Sequence, residues 1–171
     1  MAYATQDQAV EPFPLIETGE QVVAPPDGTP LFYTKYINAG GVVIVSSDAV
    51  PDAALIGAYR TILHLTSHRP DVLEAMLQHK PRISIMGLSE TASDLPEFGP
   101  SSDGQWGLGQ MPDSSTSLVS VRGVCYPGNG EYRANFLLHE FVHAMQNLGW
   151  PTTDPQIEDE VWGAYVNAVK Q

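Results

Sequence analysis

The sequence predicts an α+β domain: a small, twisted, mixed sheet of three to five strands packed on helices, with one apolar helix at its centre. Three observations predict it. Gly41–Ser47 (GVVIVSS) and Ile83–Gly87 (ISIMG) are short apolar runs of strand length and strand composition. The segments that follow the first of them carry apolar residues at helical spacing, with Pro51 and Pro70 where helix first turns begin. The run Tyr132–Leu148 has neither Pro nor Gly and is apolar almost all round, as a buried helix would be.

In chain order, residues 1–30 are rich in Pro, Gly, Gln and acids and read as an extended, poorly structured arm, leaving 31–171 as the domain. Pro30–Ile37 is a first strand, NAGG a turn, and Gly41–Ser47 a second strand apolar enough to be central. Ser47 or Asp48 is placed to cap the helix that starts at Pro51, in which Ala54, Leu55, Ala58, Ile62 and Leu65 share a face. A second helix starts at Pro70, and Ile83–Gly87 is a third strand. His64, His68 and His79 read as surface or packing residues. Leu88–Ser117 is a long polar loop, which in a compact domain is functional or mobile. Trp106, between glycines in that loop, either covers a cleft or pins the loop to the core. LVSVRGVCY is a last strand, Gly149 with Pro151 reads as a helix stop, and Gln156–Lys170 is a final helix.

The net charge of −12 argues against nucleic-acid partners, whose phosphates would be repelled, and against anionic membrane surfaces. No apolar run approaches the ~20 residues of a membrane span. The single cysteine, Cys125, forms no intrachain disulfide and reads as a buried or partly buried thiol. The first residues lack the basic and apolar regions of a secretion signal, which fits either a protein kept inside or a mature chain preceded by a start Met.

The chemistry-bearing stretch is HEFVH, His139 to His143. On a helix the two histidines fall on one face, one turn apart, with Glu140 beside them. Two neutral imidazoles in this spacing bind zinc, and the glutamate acts as general base on a water at the metal. Catalytic zinc normally takes three protein ligands. The extended pattern with a third histidine is absent, since Gln146 and Gly149 stand at its Gly and His positions and no His follows His143. On the final helix, Ile157, Val161, Ala164, Tyr165, Ala168 and Val169 define an apolar face, and Glu158 falls within it. Glu158 is therefore a candidate third ligand; an acid in a helix first turn, favoured by the macrodipole, is the plain alternative. Asp154 is a weaker candidate for the third ligand; it precedes Pro155 and looks like a cap. Tyr165 or Tyr132 could donate to a developing oxyanion or be ordinary core tyrosines.

HEFVH with a downstream Glu resembles the gluzincins. The stretches GGVVIVSSDAVPDAALIGAYRTILHLTSHRPDV, RISIMGLSETASDLPEF and CYPGNGEYRANFLLHEFVHAMQNLG resemble secreted bacterial and fungal zincin-like proteins related to the anthrax lethal factor protease domain. The resemblance implies a zincin-like fold, an extracellular setting, one zinc per chain on His139 and His143, and Glu140 as base of a metallopeptidase acting on a peptide or protein. In the lethal-factor-like pattern the third ligand is a Glu on a helix well beyond HExxH, with a Tyr shortly before it. This chain stops at Gln171, so Glu158 is either a replacement or no substitute at all. The second expectation is a degenerate zincin-like protein that binds metal or peptide without cutting.

Overall fold

Strands buried on both faces organise the sheet. In the computed structural model, which describes residues 15–109, 116–130 and 134–170, five strands run in the order β1-β2-β3-β5-β4. They are β1 (Lys35–Ala39), β2 (Val42–Ser46), β3 (Arg82–Met86), β4 (Gly107–Leu108) and β5 (Ser117–Ser120). β1 and β2 pair antiparallel, β2 with β3 and β3 with β5 parallel, and β4 with β5 antiparallel. Gly40 and Gly41, both at positive φ (64° and 100°), make the two-residue turn that joins β1 to β2.

Side chains alternate between the two faces. Ile37, Ile44, Ile85 and Val119 join one core with Leu55 and Ile62 of α1 (Asp52–Thr66) and with the buried face of α3 (Phe136–Ala144). α2 (Pro70–Leu77) closes that core through Val72 and Met76. The opposite face carries Tyr36, Val43 and Val45 under Tyr33, and Met86 and Leu118 under Ala92 and Leu95. Helices thus cover one face and irregular segments the other. The expected α+β architecture with a mixed sheet is what the chain forms.

A buried polar cluster ties the irregular side down. Arg82 Nη2 lies 3.0 Å from Glu97 Oε1, although without hydrogen-bond alignment. Arg82 Nε donates to Thr116 Oγ1 (2.7 Å), and the Tyr33 hydroxyl joins Glu97 Oε2 and Ser84 Oγ. Burial, and then the charge of Glu97, raise the Tyr33 phenol well above its ordinary pKa, so Tyr33 stays protonated. Glu97 is thereby held on the sheet, ten residues before β4.

Several local expectations shift. The first strand runs over 35–39 because Tyr33 N bonds Pro30 O in a turn. Residues 15–30 are irregular but tied down: Val23 and Tyr36 exchange two backbone bonds of 2.9 Å, and Asn38 Nδ2 donates to Ile16 O. Neither Ser47 nor Asp48 caps α1; Pro51 holds the cap position, Ser47 bonds Glu90 and Asp48 accepts from Thr34. The last strand ends at Ser120, whose hydroxyl accepts from Arg122 N and starts a 3₁₀ turn over Val121–Gly123. Beyond that turn Cys125 is exposed, not buried.

Gly149 does not stop the central helix. A π-turn over Met145–Gly149 leads into α4 (Trp150–Thr153), with Pro151 in its first turn where its missing N–H costs nothing. A Cβ on Gly149 would lie 2.5 Å from Val72 Cγ1, so the glycine serves close packing on α2. The final helix α5 (Ile157–Val169) forms, but its apolar stripe is not buried: none of its residues is, and Val161, Trp162, Tyr165 and Val169 are exposed.

Candidate metal centre

α3 starts at Asn135, whose side-chain oxygen accepts from Leu138 N at 2.9 Å. Leu137, Phe141 and Ala144 sink into the core. The helix is therefore buried on one side only, not all round. The opposite side presents His139 and His143 to solvent, one turn apart as their spacing requires.

The two imidazoles converge. Their Nε2 atoms are 3.1 Å apart, with the ring planes nearly perpendicular at 88°. Two bare acceptor nitrogens would repel at that distance, so either one carries the proton that the other accepts, or a cation belongs between them. Two nitrogens each ~2.0–2.1 Å from one tetrahedral zinc would be about 3.3 Å apart, close to what is seen. The pair therefore fits as two ligands of one zinc ion. Among the described residues, no group of three His, Cys, Asp or Glu side chains is arranged to hold a metal.

Glu140 is only 9% exposed although it sits between these histidines. Burial raises its carboxyl pKa, and the neighbouring imidazoles pull it back down. Its cover is β4 and the residue after it: Gly107 of β4 and Gly109 just beyond lie directly against Glu140 and His143. A cavity of about 650 Å³ opens over the group, lined by Trp106, Gly107, Phe136, His139, Glu140 and His143 among others.

The sequence leaves two roles open for Trp106, and the structure assigns it both. Its ring lines the cavity while packing edge-on against Phe136 (centroids 6.0 Å), with the Arg122 guanidinium 5.5 Å over it.

Glu158 is not brought to the histidines. It lines a neighbouring depression of about 500 Å³ with Asp159, Trp162 and Tyr165, and Gln146 borders both spaces. Tyr165 is 57% exposed and stacks on Trp162 at 5.4 Å, so it too lies outside the first cavity. Asp154 offers its carbonyl to Ile157 N at the start of α5. Tyr132 lies outside the described residues. His64, His68 and His79 are exposed. The sequence reading passed over Gly107 and Gly109; their signal was the small-large-small alternation Gly107-Leu108-Gly109 in an otherwise polar loop.

No protein-family model, curated protein or solved structure matches the chain. What can be said of its chemistry rests on the motif and on this geometry.

Proposed function

We propose that the chain is a zincin-like, zinc-dependent metallopeptidase domain acting on peptide or protein substrates. The observation that carries the reading is the converging Nε2 pair of His139 and His143 beside a buried carboxylate, at the floor of an open cavity. His139 and His143 would hold the ion. When bound, zinc supplies Lewis acidity towards a carbonyl and a lowered pKa for water at its open position.

The chain's own residues supply the rest. Glu140, with a carboxyl pKa raised by burial, is suited to take a proton from water and pass it to a leaving amine. Trp106 and Phe136 form an apolar wall of the cavity beside the histidines. β4 is the last strand in the sheet order among the described residues. Trp106 O accepts from Ser120 N at 2.7 Å, so that pair faces inward, and by strand alternation the N–H and C=O of Gly107 face the free edge. An extended substrate adding a strand there would lie alongside Glu140.

Glu158 is the proposed third ligand, and Tyr165 the proposed oxyanion donor. Both sit on α5, which has no buried residue and so belongs to the easily displaced part of the fold. A swing of α5 towards α3 is the movement that would bring them in. The second reading, a zincin-like protein that binds without cutting, is favoured by one observation: no three-ligand group exists among the described residues.

Zinc per chain, measured by elemental analysis on protein purified without a metal-affinity tag, separates the readings together with cleavage of a broad peptide library. The proposal expects one zinc per chain, cleavage by wild type, and a Glu140→Gln variant that keeps zinc and loses cleavage. Retained zinc with no cleavage by wild type selects a metal-binding protein that does not cut, and absent zinc refutes the metallopeptidase and leaves a degenerate relative that binds peptide without cutting.

A further inference from the structure

β4 and the residue that follows it meet the metal helix through two glycines, Gly107 and Gly109. A Cβ built on Gly107 would lie 2.8 Å from Glu140 Cγ and 2.9 Å from Cδ, and closer still to Oε1. One built on Gly109 would lie 2.8 Å from His143 Cβ and 3.4 Å from Glu140 Oε2. Neither glycine has a positive φ, so the backbone there does not require glycine; the space does. Leu108, between them, packs the other way, against the cluster of Met86, Leu95 and Leu118. That packing, with the Trp106–Ser120 bond, holds the strand from behind against retreat from a bulkier residue.

We propose that Gly107 and Gly109 are positioning residues: together they form a bare strip that fixes the carboxylate of Glu140 and the ring of His143 in their working places. The inference rests on the metallopeptidase reading above. It assigns separate consequences to the two positions, because one borders the base and the other a ligand.

The test compares Gly107→Ala, Gly109→Ala and the control Gly99→Ala, whose Cβ would meet nothing within 4 Å. Zinc affinity is read by chelator competition, kcat and KM separately on a peptide that wild type cleaves, and folding by melting temperature. Gly107→Ala should keep zinc and KM but lose about 100-fold in kcat, the scale of a 1 Å misplacement. Gly109→Ala should weaken zinc at least ~10-fold, a change expected when a ligand's support is altered. Gly99→Ala should match wild type. Unchanged kcat in Gly107→Ala, or unchanged zinc affinity in Gly109→Ala, overturns the proposal, as does a loss accounted for wholly by unfolded protein. If Gly107→Ala does not fold, the Gly107→Ala/Glu140→Ala double variant should, and failure of the double variant also overturns it. A wild type without zinc overturns the metallopeptidase reading, and this inference with it. A wild type that binds zinc but cleaves nothing overturns the hydrolysis alone; the positioning claim is then decided by whether Gly109→Ala, and not Gly107→Ala, weakens zinc.

Discussion

Glu97→Ala removes one half of a charge pair that the fold keeps almost dry. The side chains of Arg82 and Glu97 are 5% and 4% exposed, and the guanidinium lies 3.0 Å from the carboxylate. Without Glu97, Arg82 remains charged beneath the segment that leads to β4, with Thr116 as its hydrogen-bond partner in the cluster. Removing one member of a buried ion pair costs about 3–5 kcal/mol, because the remaining charge loses the counter-charge that offset its desolvation. That is a large share of the ~5–15 kcal/mol that holds a domain together. At about 2–4 °C per kcal/mol for a chain of this size, the melting temperature should fall by roughly 6–20 °C. Urea unfolding followed by tryptophan fluorescence gives the free-energy difference at constant slope. Arg82→Met/Glu97→Leu, which removes both charges and keeps the volume, should recover most of the loss. A Glu97→Ala cost below about 1 kcal/mol would refute the reasoning, since it would mean that the Arg82 charge is compensated without Glu97.

Three further outcomes are expected. Gly149→Ala should destabilise by about 1–3 kcal/mol through overpacking against Val72, whereas helix propensity alone predicts a gain of up to ~1 kcal/mol; the sign in a denaturation series decides between them. In metal-free protein, Glu140 binds its proton more tightly folded than unfolded, so its contribution is fully present at acid pH and is lost as pH rises through the raised folded pKa. Glu140→Gln should therefore be more stable than wild type at pH 8 in chelator, with the difference shrinking towards pH 4; parallel curves would contradict the buried carboxylate. Glu158→Ala should lower zinc affinity by more than the ~10–100-fold typical of outer-shell changes, and undiminished affinity would remove Glu158 from the ligand set.

What the sequence determined by itself is local. The four-residue spacing of His139 and His143 places both on one helix face wherever that helix packs. The apolar runs at 42–46 and 82–86 become strands, and Gly40-Gly41 the turn that leads into the first of them, because those preferences act within a few residues. The tertiary structure decided what depends on distant partners. Gly149 reads as a helix stop until Val72 is seen against it. Glu158 reads as part of a buried stripe until α5 proves to have no buried residue. Gly107 and Gly109 look like loop glycines until the sheet sets them under Glu140 and His143. Arg82 and Glu97 look like surface charges until the fold closes over both. Periodicity reports which face of an element is apolar, but only packing decides what that face meets, and the surroundings of the histidine pair are built almost wholly from such meetings.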